Sequence, residues 1–261
     1  TDSFMRVDPS DRRKNTSTHD IDLCQIYGLD EETCYILRKK AEGKLLSQKI
    51  PNAKTNLDEE FPEYLCELVN GNWQVKHKFI QLPYAGKVNQ MLGSLATQAW
   101  RKEKLYATGL ERGNSSIGYA GISTLFLREH NRICDLLVTE YGDVTHPDYH
   151  LWNPPNNPHY FDERVFQTAR MINTVLLLKL VVEEYINHIA GQKAFKLDYG
   201  FAEELNWYRT NWITIEFDLL YRWHSLAVEE IVIDGQPKIP TQYRFNNALL
   251  ETAGLKQVIE D

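Results

Sequence analysis

The stretch Asn211–Leu226, NWITIEFDLLYRWHSL, constrains this chain most. Ile213, Phe217 and Leu220 recur at helical intervals, so one face of a helix there is apolar and has to be buried. Tyr221 and His224 are three residues apart and project from the same side of that helix. An imidazole held in this way is able to bind a haem iron, and a phenol beside a haem can be oxidised to a radical that abstracts hydrogen from a substrate. The same spacing also describes a satisfied core histidine beside a buried tyrosine, and the stretch alone leaves both readings open.

The remaining composition narrows the class. With 261 residues, 43% of them hydrophobic, the chain can bury one sizeable core, and it reads as a single domain over 1–261. The net charge is −7 and the basic residues are interspersed with acidic ones, which excludes a nucleic-acid binder. Cys24, Cys34, Cys66 and Cys134 have neither zinc-site nor thioredoxin spacing, and four in this length make no disulfide scaffold. The longest apolar run, Ile172–Val182, is interrupted by Lys179 and is too short to span a bilayer, so a soluble or at most peripheral chain is expected. The pattern at both ends, Thr1–Met5 and Leu249–Ile259, is helical and cut short, as in a fragment or processed chain.

Along the chain, Asp8–Thr18 reads as a polar loop, and Glu31–Ala41 as a short helix capped by Asp30 and ended by Gly43. Leu45–Lys78 reads as short strands or coil, Asn89–Tyr106 as a helix and Gly109–Ser116 as a loop. Ile117–Tyr141 is the strongest helical signal of the first half, with Leu125, Leu127, Ile133, Leu136 and Leu137 as its buried positions. His146, His150 and His159 fall in a proline- and asparagine-rich loop and match no metal spacing. A long helix capped by Asp162 is expected over Glu163–Ile189, ended by Gly191, then the helix carrying His224, a small hairpin at Ile231–Ile239 and a closing helix. The architecture is mainly α.

Five ordered blocks carry a resemblance: DLCQIYG at Asp22–Gly28, STLFLREHNRICDLL at Ser123–Leu137, FQTARMI at Phe166–Ile172, VVEEYINHIAG at Val181–Gly191 and LYRWHSL at Leu220–Leu226. In order and spacing they are similar to the animal haem peroxidase and cyclooxygenase superfamily, over the middle of its catalytic domain. The resemblance implies a haem peroxidase-like helical fold, haem b as cofactor, and His224 as the proximal ligand of the iron. It places Tyr221 where the cyclooxygenases carry their radical tyrosine: once oxidised, Tyr221 would take hydrogen from a polyunsaturated fatty acid, and O2 would add to the carbon radical. Tyr185, Ile186 and Ile189 match the helix lining the family's fatty-acid channel, and Gln192 stands near a tyrosine that holds the substrate carboxylate. Arg112, sixteen residues before Arg128, matches a distal arginine of the mammalian peroxidases.

One position departs from the family. Asp2 stands where the family has its distal histidine, and a carboxylate of ordinary pKa is a poorer proton shuttle near neutral pH than an imidazole. The resemblance therefore implies a fatty-acid dioxygenase with weak or redirected peroxidase activity; the alternatives are a peroxidase of small reductants and a non-catalytic structural subunit. Calcium is not expected, because Thr18, Asp20, Asp22 and Cys24 lack the aromatic residue and the serine of the family's pattern. The partners implied are the remaining part of the catalytic domain or a second chain, and peripheral contact with a membrane.

Overall fold

Ile117–Tyr141 is the central helix of the fold, over the residues that its periodicity marks out, and it opens on Ser116, whose Oγ accepts the Tyr119 N–H at 3.2 Å. In this computed structural model the described residues are 7–8, 11–15, 22–52, 54–93, 99–157, 159–198, 200, 229–233, 235–239 and 243–260. Their contacts divide the chain into two units, residues 23–175 with 229–261, and residues 1–22 with 176–228.

In the larger unit the central helix buries Leu127 and Ile133 as expected and packs Leu137 partly against the core, but its inward face is wider and more polar than the leucines suggest. Leu125 and Leu136 are exposed, while Ala120, Thr124, Leu127, His130, Asn131 and Cys134 face inward. Small and polar residues line that face because backbone and hydrogen-bond acceptors approach it closely. The Asn131 amide takes the Leu45 N–H at 2.9 Å and gives a hydrogen bond to Glu60 at 2.6 Å, and Arg128 bonds the Glu59 carboxylate at 3.0 Å. These contacts hold the antiparallel hairpin Ser47–Pro51/Asp58–Pro62 against the helix. A second hairpin, Cys66–Val69/Asn72–Val75, follows, so the region read as strands or coil is built of hairpins.

Several boundaries differ from the sequence reading. Asp30 caps its helix, its Oδ1 accepting from the Thr33 N–H at 2.7 Å, but the helix ends at Ile36, and Lys40 and Glu42 adopt left-handed conformations before Gly43. Asn89–Tyr106 is not one helix. Val88–Leu92 stops at Gly93, a 3-10 turn covers Ala99–Lys102, and Tyr106 bridges to Tyr64 as extended chain. Gly109–Ser116 contains a 3-10 turn, Glu111–Asn114. The closing helix is split into Ala248–Ala253 and Leu255–Glu260 by Gly254 at φ 90°, where an added Cβ would lie 2.6 Å from Glu59 Oε1. One core cluster joins these helices to the hairpins through Phe61, Tyr106, Ile117, Leu250 and Leu255; a second packs Trp152, Val165 and Ala169 against Ile133 and Cys134.

The helix expected over Glu163–Ile189 runs from Tyr160 to Ala190. Asp162 lies inside it and does not cap it; its carboxylate accepts instead from Arg38 at 2.8 Å and from the Gly43 N–H at 2.7 Å. By length and composition this is the one helix among the described residues able to cross a membrane, a property it shares with core helices of soluble proteins. Ile172–Val182 alone understates it, because the apolar residues continue on both sides of Lys179.

The smaller unit contains a short antiparallel pair, Val7–Asp8 with Asp11–Asn15, where a polar loop is expected from the sequence. It also contains a π-helical turn, Leu180–Ile186, followed by Asn187–Ala190 and by Gly191 at φ 67°. Asn187 fixes the chain beyond this point: its amide accepts the Phe195 N–H at 2.9 Å and donates to the Phe195 and Glu183 carbonyls. The hairpin Ile231–Ile233/Gln236–Lys238, in the larger unit, forms where the sequence predicts it.

Candidate functional site

Of the residues to which the resemblance assigns chemistry, Asp2, Tyr221 and His224 lie outside the described residues. The described histidines nevertheless bear on the choice of ligand. His130 is fully buried, but both ring nitrogens are taken by protein groups: Nδ1 meets the Tyr27 hydroxyl at 2.9 Å and Nε2 the Gly43 carbonyl at 2.9 Å. His146 accepts the Asp148 N–H and faces Glu140, while His77, His150, His159 and His188 are exposed. None of these six presents a buried, uncommitted imidazole to an iron. His19 and His224 remain, and His224 alone of these two lies on an apolar helical pattern. One neutral imidazole is the type of donor a haem iron takes, and the residue to which the resemblance assigns that role, His224, lies outside the described residues. No cluster of His, Cys, Asp and Glu able to hold a metal ion occurs among the described residues.

Arg112 occupies the 3-10 turn Glu111–Asn114 and is half-buried. The turn is held by Asn114, whose side-chain Oδ1 accepts from the Tyr106 N–H and from the Asn247 side-chain amide, each at 2.8 Å. Tyr185 and Ile186 lie in the π-helical turn, Ile189 in the helical turn after it and Gln192 just beyond Gly191. All four are exposed, as are Leu176 and Leu180 in the same unit; Ile172 and Val175, in the larger unit, are exposed too.

Two polar clusters carry no role in the sequence reading. In the first, the Tyr27 hydroxyl accepts the Asn173 amide at 3.1 Å, and the Tyr27 and His130 rings meet Phe166 edge-on, with centroids 5.9 and 5.2 Å away. Burial pushes the His130 imidazole down to about 4, so it is neutral at pH 7, and raises the Tyr27 phenol well above its ordinary range. Cys134, beside His130, is pushed up to about 12 by burial and is no nucleophile at neutral pH. In the second cluster the buried Glu251 accepts from Tyr64 at 2.9 Å and Tyr106 at 3.1 Å and pairs with Lys104 at 2.8 Å. Tyr27 and Phe166 stand within the family-like blocks, which was the available signal. A carboxylate such as Glu251 on a closing amphipathic helix gives none, since it looks solvated.

The mainly α architecture and its motifs define a haem peroxidase-like fold. The chain belongs to the animal haem peroxidase family: the sequence model of that family, "Animal haem peroxidase", matches residues 3–260. It is 30% identical over 246 residues to prostaglandin G/H synthase 2 of Bos taurus, covering 93% of this chain and 33% of that protein. It is 29% identical over 266 residues to prostaglandin G/H synthase 2 of Equus caballus, covering 100% and 36%. Prostaglandin G/H synthase 1 of Rattus norvegicus is 29% identical over 245 residues, covering 93% and 33%. The chain thus spans about a third of the length of these relatives. Among solved structures, Peroxidase A from Dictyostelium discoideum superposes with a TM-score of 0.53 at 21% identity, over 89% of this chain and 37% of that one, a likeness of fold.

Proposed function

We propose that this chain is the central part of a single haem-binding catalytic domain and works as a fatty-acid dioxygenase, with Tyr221 as the hydrogen-abstracting residue and His224 as the axial ligand. The observation that carries the reading is the Tyr221–His224 pair, three residues apart on an apolar helical pattern, in a chain that matches the family over residues 3–260. The prostaglandin G/H synthases among its relatives support the choice of a lipid oxygenase within that family. Haem b, once bound, would supply the one-electron oxidising power that a side chain lacks.

The chain's own residues do the rest. His224 would hold the haem iron. With its electron given up to the oxidising power of the haem and its proton released to water, Tyr221 would take a hydrogen atom from an activated carbon of a polyunsaturated chain, which restores the phenol and leaves a carbon radical to which O2 adds. Return of that hydrogen atom from Tyr221 to the peroxyl group would give the hydroperoxide. Tyr185, Ile186 and Ile189 offer the apolar surface that an acyl chain needs, and Gln192 a neutral amide near its carboxylate end. Arg112 would polarise peroxide and, by pairing with Asp2, offset in part the poor proton shuttle there. The remaining part of the domain or a partner chain covers the exposed apolar face, and contact with a membrane delivers the lipid.

Asp2 favours a second reading, a haem-binding subunit without peroxide chemistry. The purified chain supplied with haem separates the two. A Soret band that is lost in His224→Ala, together with oxygen uptake on linoleate that is lost in Tyr221→Phe, supports the dioxygenase. Guaiacol oxidation without linoleate-dependent uptake would support a peroxidase instead, and a Soret band with neither activity the non-catalytic subunit. An absent Soret band would overturn haem binding.

A further inference from the structure

Tyr27 has a feature that its place in the packing does not require: its hydroxyl is bonded to a base. The Gly43 carbonyl, 2.9 Å from His130 Nε2, has no proton to give, so Nε2 carries the hydrogen of the neutral ring. Nδ1 is then bare, and across 2.9 Å the Tyr27 O–H is the donor. Asn173 gives the same hydroxyl oxygen a second hydrogen bond, at 3.1 Å. Tyr27 and His130 are both fully buried, beside Phe166. By contrast the buried Tyr84 donates at 2.7 Å to the Thr108 carbonyl, which is too weak a base to take a proton.

An oxidised phenol that keeps its proton becomes a radical cation, a state that a dry core strongly disfavours. A phenol hydrogen-bonded to an imidazole lowers that cost by giving up the proton as the electron leaves, because an imidazolium, although burial disfavours it too, is a far weaker acid than a phenol radical cation, and the heavy-atom separation here lies within reach of direct proton transfer. We infer that Tyr27, with His130 as its proton acceptor, is a second oxidisable tyrosine of this chain, separate from Tyr221, where an oxidising equivalent comes to rest. In the step the Tyr27 O–H bond breaks, a His130 Nδ1–H bond forms, and one electron passes to a one-electron oxidant. The products are a neutral phenoxyl radical and an imidazolium, whose Nδ1–H donates back to the phenoxyl oxygen beside the Asn173 amide. The guanidinium of Arg170, 5.0 Å from the centre of the Tyr27 ring, and that of Arg38, 4.0 Å from the centre of the Phe166 ring, oppose the new positive charge. The proton therefore returns when the radical is reduced. The physiological source of the oxidant rests on the haem reading above, but the chemistry of the pair does not.

The test therefore uses no haem. The full chain, labelled with 15N-histidine and carrying Tyr221→Phe, is illuminated with tris(bipyridine)ruthenium(II) and persulfate. Ascorbate then quenches accessible radicals, and the sample is frozen for electron paramagnetic resonance and electron–nuclear double resonance. The expected result is an ascorbate-resistant tyrosyl signal coupled to 15N, lost when Tyr27→Phe is added and deprived of its nitrogen coupling in His130→Asn. Absence of a resistant signal, a signal without 15N coupling, or one unchanged by Tyr27→Phe overturns the inference. The nitrogen coupling is read without altering Tyr27 or His130, so the test does not depend on how those variants fold. A missing Soret band would sink the haem reading and leave this result standing.

Discussion

Removing the imidazole at position 130 should flatten the acid dependence of stability. Burial holds the folded-state pKa of His130 at about 4, against 6.5 for the ordinary group. Above pH 6.5 the ring is neutral whether the chain is folded or not, and it contributes no pH dependence. Between 6.5 and about 4 the unfolded chain binds a proton that the folded chain refuses, so stability falls as the pH falls. The slope is roughly 1.4 kcal/mol per pH unit, which gives a loss of about 2 kcal/mol at pH 5 and about 3 kcal/mol by pH 4. Below pH 4 both states carry the proton and the decline from this group stops. Urea denaturation of the wild type and of His130→Asn, each at pH 7 and pH 5, isolates the term by double difference, because the other titrating groups are common to both. The variant starts lower, since Tyr27 and Gly43 lose a partner, but its stability should change less between the two pH values by about 2 kcal/mol. Equal acid losses in the two proteins would mean that the imidazole is hydrated or already charged, and would refute the buried neutral ring.

Other perturbations address the frame around it. Gly43 sits at φ 69°, and an added Cβ would lie 2.6 Å from the Phe166 nitrogen and 2.9 Å from the Val165 carbonyl carbon, so Gly43→Ala should cost about 3 kcal/mol or more by urea denaturation. Glu59→Gln removes the charge that accepts from Arg128 at 3.0 Å and from the Leu255 N–H at 3.1 Å; a loss of about 2 kcal/mol is expected, with faster hydrogen exchange at Leu255–Glu260. Phe166→Ala empties a fully buried site between Tyr27 and His130 and should cost about 4 kcal/mol.

What could be read from the sequence follows the physics of each segment. Ile117–Tyr141 was legible over its whole length because a cap and a sustained helical period agree. Its buried face was legible in part: Leu127 and Ile133 are buried, but Leu125 and Leu136 are not, because the hairpin beside the helix demands small residues and hydrogen-bonding side chains such as Asn131 and His130. Asn89–Tyr106 has a helical apolar pattern that loses to Gly93 and to the pairing of Tyr106 with Tyr64. At Asp162 a residue that caps helices well is drawn inside one by Arg38, a partner 124 residues away that no local pattern reveals. The family was legible through a resemblance of blocks, whereas Asp2, Tyr221 and His224 lie outside the described residues. The phenol–imidazole pair at Tyr27 and His130 was not legible, because its members come from segments 103 residues apart.

The resemblance itself divides into two parts once the contacts are known. Tyr27 from DLCQIYG, His130 from STLFLREHNRICDLL and Phe166 and Arg170 from FQTARMI meet around one buried point, with Arg128 and Asn131 of the second block holding the adjacent hairpin. Those three blocks are tied together by packing and hydrogen bonding, and the Tyr27–His130 bond is the one contact among them that packing does not call for. VVEEYINHIAG contributes Glu183 and Asn187 to hold the chain after its helix, again a structural task, while its Tyr185, Ile186 and Ile189 are exposed. LYRWHSL is different: it lies outside the described residues, and its phenol and imidazole, three residues apart, are the part to which the proposal assigns chemistry. The fold thus rests on the contacts of four blocks, and the proposed activity mainly on the fifth. Substitution of His224 and Tyr221 discriminates among dioxygenase, peroxidase and inactive subunit, where substitutions in the other blocks would report mainly on folding.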